Sequence, residues 1–451
     1  MSAGAPAAVL PVRLSARYAP LVPALAIVLL LCVPAASLGH RDVAAAGKVT
    51  PADAASAVLV VWCVARLLRR RARPLDRRAA LVLGAPAVGF AVATIASADP
   101  AASLPGFVRH LQIFVLVPAA LMLTLRSARD FRVVAGAVVL LALVQGAIGV
   151  HQYLTGTGAS YKGQFVRAVG TFGPLDIMGM STVIGYGLTA ALAIGLAPRT
   201  GAPRWLRPAA LGSAAALVAP LAVSFSRGAW IATAAAVGVV LLLAGARLAV
   251  GTLAVLVAAA VVLVGGAGVG SGMLGQRVGS ITAVSEAPDR SVTDRYALWA
   301  AAAEMWREAP VTGVGLKGFP AHRDGHASLG LSSGSDISGA GLAFQREPLL
   351  SPHNMYLLVL GEQGLIGSMA LVGSWAALLV CAVRRLRTAR GGGRAVDCGM
   401  VAVGLMVYQS VDFLSSDIGG PSTVLSAVLY GLVAWWALVA PAAGAGRAGD
   451  D

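Results

Sequence analysis

Apolar positions in this chain come in runs of about twenty residues, and short arginine-bearing clusters punctuate the runs. A helix of roughly 20 residues covers the ~30 Å hydrocarbon core of a bilayer. Lipid offers the backbone no hydrogen-bond partners, so such runs predict helices that pair their own polar groups. The pattern predicts twelve spans, at residues 18–38, 54–68, 79–97, 107–125, 133–153, 172–196, 209–224, 228–246, 249–266, 355–383, 397–415 and 421–441. The second is short for a crossing. The seventh and eighth are separated only by the residues around Ser226, so they are either two helices or one broken element. The expected fold is all-α and polytopic.

Composition agrees, since 57% of the 451 residues are hydrophobic and 12% charged, a balance no ordinary soluble domain of this length carries. The net charge of +15 acquires a meaning once it is divided by loop. Arg13 and Arg17, Arg66 to Arg78, Arg126, Arg129 and Arg132, Arg199 to Arg207, Arg247, Arg384 to Arg394 and Arg447 all fall on one side of the twelve spans. That side holds 22 Lys and Arg against 5 Asp and Glu; the other holds 13 against 15. Basic residues in short loops stay in the cytoplasm, so both termini are expected inside a cytoplasmic membrane. The basic excess thus reports topology and gives no reason to expect a nucleic-acid partner. Cys32, Cys63, Cys381 and Cys398 lie in or near apolar segments, and no disulfide framework is indicated. The first segment is expected to be a retained anchor; a cleaved signal sequence is the alternative.

The chain divides into N-terminal helices (1–154), a central membrane region (155–266), a large outer loop (267–352), C-terminal helices (353–441) and a cytoplasmic tail (442–451). A loop of that length is more than a connector. Its Asp294 to Ala309 stretch puts Leu298, Ala302, Met305 and Trp306 on one helical face, which predicts an amphipathic helix resting on the membrane or roofing a cavity. Asp336 to Pro348 lacks periodicity and is expected as a lid or simple loop.

Two GxGxxG strings, Gly270 to Gly275 and Gly313 to Gly318, lack a strand-turn-helix setting and imply no dinucleotide. The string His322-Arg323-Asp324-Gly325-His326, expected on an irregular loop, is too sparse for a metal site, and Asp42 has no partner carboxylate nearby in sequence. More informative is Ser224-Phe225-Ser226-Arg227-Gly228, where Ser226 is placed to cap the eighth span and Arg227 adds a cation at the positive helix end. That stacking of like charge suits a bound anion, and a guanidinium matches phosphate oxygens in its fork geometry. A snorkelling interfacial arginine is the plainer alternative. Ser351-Pro352-His353-Asn354 opens the tenth span, with Ser351 as N-cap, Pro352 at the first position and His353 in the first turn, where the helix end disfavours its cation. Arg167, Arg295 and Lys317 are further outer cations able to surround a phosphate ester.

Four stretches together resemble the O-antigen ligase and polysaccharide polymerase family: RAVGTFGP (Arg167 to Pro174), SRGAW (Ser226 to Trp230), RYALWAAAAEMWREAPVTGVGLKGF (Arg295 to Phe319) and HNMYLLVLGEQGLIG (His353 to Gly367). The resemblance covers about residues 165–370. It implies a GT-C-like architecture and an inverting, metal-independent glycosyltransferase without a cofactor, working on the outer face with a glycan on undecaprenyl pyrophosphate as donor. By that pattern Arg227 and Arg295 contact the pyrophosphate and His353 assists the acceptor hydroxyl, while Arg167 and Lys317 extend the cationic surface. Glu362, nine residues past His353 and about 13.5 Å deeper on a straight helix, is expected to support packing or a polar cavity. A transporter of polysaccharide or lipid-linked sugar is the alternative; the acceptor, the sugars and the oligomeric state stay open.

Overall fold

The computed structural model describes residues 19–34, 50–70, 75–161, 167–197, 202–252, 290–326, 334–339, 345–348, 351–392, 395–420 and 422–439. Fifteen α-helices are named here in chain order. They are α1 (Val22–Leu30), α2 (Pro51–Arg70), α3 (Arg77–Ile95), α4 (Pro100–Leu111), α5 (Val117–Thr124), α6 (Ala128–Thr155), α7 (Gly179–Leu196) and α8 (Leu206–Ala216). There follow α9 (Val218–Val223), α10 (Arg227–Ala244), α11 (Arg290–Glu308), α12 (Phe319–His326), α13 (Met355–Gly392), α14 (Val396–Asp412) and α15 (Thr423–Ala434). Among the described residues eight helices are long and apolar enough to cross a membrane, two of them built from the pairs α4–α5 and α8–α9. The chain is an all-α, polytopic membrane protein.

The expected spans differ from these helices in detail. The first, at 18–38, contracts to the nine residues of α1. Only residues 249–252 of the ninth are described, and they are helical. The twelfth becomes a shorter apolar helix, Thr423–Val439, ending in a π turn. Around Ser226 two helices form: Phe225 takes a left-handed backbone, φ 49°, so α9 stops and α10 starts afresh, both packed on α7. A π turn over Gln112–Leu116 joins α4 to α5. It precedes Pro118, whose missing N–H cannot continue the α ladder.

The tenth span is the largest departure. Instead of one straight helix over 355–383, α13 runs to Gly392 and breaks at Gly364, φ 60° and ψ −161°. Such a break orphans backbone groups that lipid cannot satisfy. The segment Pro310 to Gly315 satisfies them: Leu365 N–H donates to Pro310 O (2.9 Å) and Ile366 N–H to Val311 O (3.1 Å), while Val314 N–H donates to Gly361 O (3.0 Å) and Gly315 N–H to Glu362 O (2.9 Å). The two chains cross so closely that neither Gly313 nor Gly364 has room for a Cβ. Helix α11 leads into this crossing with Leu298, Ala302 and Met305 of the expected face fully buried and Trp306 only partly so, and it packs against α13.

The same strings fold in unexpected ways elsewhere. His322 to His326 belongs to α12, where an irregular loop was expected. His322 Nδ1–H donates to Gly318 O (2.9 Å) and His326 lies 3.2 Å from Glu308. Asp336 to Pro348, expected as a loop, contributes to a small antiparallel sheet of β1 (Ala159–Tyr161), β2 (Gly334–Gly339) and β3 (Gln345–Pro348), in that order. Ala159 pairs with Gly339 on one side and bridges Arg167 on the other.

Candidate functional site

At one end of the bundle the turn Ser351 to Asn354 delivers His353. The helix after it is capped by Asn354, whose Oδ1 accepts from Leu357 N–H (3.1 Å). Ser351 is therefore not the N-cap expected of it, and His353 precedes the helix instead of lying in its first turn. The competing pull comes from residues 413–417. Met355 N–H donates to Phe413 O (2.9 Å) and Ser416 O (3.0 Å), and Asn354 Nδ2 donates to Leu414 O (3.1 Å). Ser351 Oγ donates to Asp417 Oδ2. The same Oδ2 lies 3.8 Å from His353 Nδ1, an ion-pair distance that is too long for a hydrogen bond.

His353 is held at φ 50°, a left-handed conformation that costs a non-glycine residue of order 1–3 kcal/mol and persists only where surroundings impose it. Trp299 on α11 helps impose it, its indole N–H donating to Pro352 O (2.9 Å). Among the described residues only four non-glycines have positive φ: Phe225, Lys317, His353 and Ala395. Three of these lie in the strings singled out by chemistry, which marks those strings as imposed geometry. The His353 side chain stays 45% exposed. Its partial withdrawal from water holds the imidazole below its ordinary pKa; Arg295 pushes the same way and Asp417 opposes. Arg295 is thus an electrostatic neighbour of His353.

Arg227 occupies the first position of α10, and Ser226 caps that helix as expected, accepting from Ala229 N–H (3.3 Å). The start of α10 abuts the same 413–417 loop: a Cβ on Gly228 would collide with the Ser415 side chain. The backbone of Arg167 is tied to β1, and its neighbour Ala168 donates to Val223 O (3.3 Å), just ahead of the Ser226 turn. Lys317, exposed and at φ 59°, sits farther round, against Gly106 of α4. Glu362 is buried and accepts from Phe319 N–H (3.1 Å). Its carboxylate therefore meets the positive end of α12. It caps a helix across the helix break, a firmer role than the packing expected of it on a straight helix.

Sequence reasoning missed three acids, one of them beside His353 and the other two electrostatic neighbours of that one. Asp417 faces the imidazole; Asp412 accepts from Ser416 Oγ (2.6 Å) and keeps its other oxygen buried without a partner among the described residues; Asp176 accepts from Ser422 N–H (3.0 Å). For Asp412, the last residue of α14, the signal was available, since a carboxylate at the end of an apolar helix is costly and marks function by default. Asp42 lies outside the described residues, as does the Gly270 to Gly275 string. Among the described residues no group of three or more His, Cys, Asp or Glu is arranged to hold a metal ion.

No curated protein matches the chain in sequence comparison. A comparison with family models matches a stretch that begins within α8 and ends in α13 beyond its break, thereby holding Arg227, Arg295, Lys317 and His353 and leaving Arg167 well before its start. Residues 212–372 match the O-antigen ligase family.

Proposed function

We propose that the chain is an inverting glycosyltransferase that moves a glycan from undecaprenyl pyrophosphate to a hydroxyl acceptor on the outer face of the cytoplasmic membrane, as a ligase or a polymerase. The observation that carries this reading is the half-exposed His353, 3.8 Å from Asp417 and under the electrostatic influence of Arg295, in a turn bound to the loop that abuts the start of α10, where Arg227 stands. Asp417 favours the tautomer with its proton on Nδ1, which leaves Nε2 as the base. The acceptor oxygen bonds to the anomeric carbon while the carbon–oxygen bond to phosphate breaks; the hydroxyl proton passes to Nε2 and the electron pair leaves on the pyrophosphate. Arg227 and Arg295 receive that developing charge, aided by the α10 N-terminus. One displacement inverts the anomeric carbon, and no protonating carboxylic acid is needed because pyrophosphate leaves as an anion. The partners of this reading are a lipid-linked oligosaccharide, a glycan or glycolipid acceptor and membrane lipid. Both termini then face the cytoplasm.

The test is to incubate purified protein with lipid-pyrophosphate glycan and candidate acceptors and to resolve the products by size. A ladder identifies a polymerase and a single addition a ligase. Turnover is expected to survive a divalent-ion chelator, because the guanidiniums supply the charge. His353→Ala is expected to retain donor binding and lose about 10²- to 10⁴-fold in single-turnover transfer. Near-normal turnover in that variant would remove the base, and passage of the lipid-linked glycan across sealed vesicles without transfer would identify a transporter.

A further inference from the structure

Helix α11 buries one face and leaves another exposed, and aromatic residues that the proposed chemistry does not use lie toward the exposed side. Tyr296 is 53% exposed. Its ring stands perpendicular to that of Trp299, 88° between planes and 5.6 Å between centroids, three positions on and so on the same side of the helix. Tyr296 follows Arg295, the electrostatic neighbour of His353, and Trp299 is bonded to the carbonyl that precedes His353. The two rings therefore form an open corner in the wall that holds the candidate base and cation. Core packing does not account for it, since Leu298, Ala302 and Met305 fill the inner face.

A pyranose ring presents a flat patch of polarised C–H bonds with its hydroxyls at the rim. An aromatic face is electronegative and attracts such hydrogens. The tyrosine hydroxyl beside it can donate to or accept from a sugar hydroxyl. We infer that Tyr296 and Trp299 form a sugar-stacking subsite holding one pyranose ring of the substrate glycan beside His353. The inference rests on the transfer reading only for what that glycan is. The donor and the acceptor both offer such a ring, and kinetics separate them.

The experiment compares Tyr296→Leu and Tyr296→Phe with the parent protein, in nanodiscs and in detergent. The probes are lipid-linked glycan extracted from native membranes and the oligosaccharide released from it by mild acid. Tyr296→Leu is expected to raise KM for one substrate roughly 3- to 10-fold with kcat little changed, and to weaken saturation-transfer NMR signals from the released oligosaccharide. Tyr296→Phe keeps the ring face and is expected to stay near the parent on both counts. A rise confined to donor KM assigns the ring to the donor, and one confined to acceptor KM assigns it to the acceptor. Tyr296→Leu behaving as the parent, or Tyr296→Phe as impaired as Tyr296→Leu, overturns the subsite. So does a defect seen only in nanodiscs, which would make Tyr296 an anchor at the bilayer interface. Oligosaccharide bound through Tyr296 without any transfer product would sink the proposed function and leave the subsite standing.

Discussion

The two ends of α14 handle charge in opposite ways. At its start Asp397, almost fully buried, receives two hydrogen bonds from Arg132, Nε at 2.5 Å and Nη2 at 2.8 Å. That carboxylate is neutralised in bidentate geometry. At its finish Asp412 keeps an oxygen without a partner among the described residues, and Asp417 just beyond reaches His353 only across 3.8 Å. Closed pairs hold a bundle together, whereas charge kept at a distance from its counterpart stays available for something that arrives. One helix thus separates a closed ion pair from the end that adjoins the candidate site.

Arg132→Ala attacks the closed end and is expected to have the largest effect. It strands a buried carboxylate, at a cost of about 3 kcal/mol, the low end of the range for a broken buried pair because Arg132 is 22% exposed. A falling melting temperature with normal transfer per folded molecule would match the comparison; a loss of turnover without loss of stability would break it. Arg227→Lys attacks the site end while keeping the charge. Losing one charge-assisted hydrogen bond, worth about 1.5–3 kcal/mol, is expected to slow transfer roughly 10- to 150-fold at an unchanged melting temperature. Unchanged donor affinity and turnover would remove Arg227 from the site.

Asp417→Asn sharpens the comparison with the smallest change. Asp417 raises the His353 pKa, so its removal lowers that pKa further. The neutral base then persists to lower pH, and the acid limb of kcat/KM, which reports the free enzyme, moves to lower pH. The plateau is expected to fall about tenfold as the imidazolium loses its counter-charge. A limb moving to higher pH would show that Asp417 does not face the imidazole in solution.

Most of the helical scaffold was legible because apolar runs of membrane length leave little choice of conformation. The Ser226 cap was legible for a related reason: its hydroxyl, the following arginine and the apolar run are contiguous in the chain. Asp417 was not, since its contact with Ser351 spans 66 residues and no local pattern announces it. The cap at Asn354 was misassigned because Ser351-Pro352 obeys the local start rule while the 413–417 loop, distant in sequence, decides the outcome. The β1–β2 pairing escaped notice because Gly334–Gly339 shows no alternation and its partner, Ala159, lies far back in the chain. What remained hidden was almost entirely long-range.

The crossing of Pro310–Gly315 over the broken turn at Gly364 bears on how the protein opens. Four backbone hydrogen bonds knit the segment Pro310–Gly315 into a helix that continues toward the opposite end of the bundle. These amides should exchange with deuterium together, as one cooperative unit, and a protease cut beyond His326 should leave that unit intact. Any swinging of the helix that leads into this knot is therefore expected to hinge outside it, with the stretch from Pro310 to Gly315 staying registered on α13.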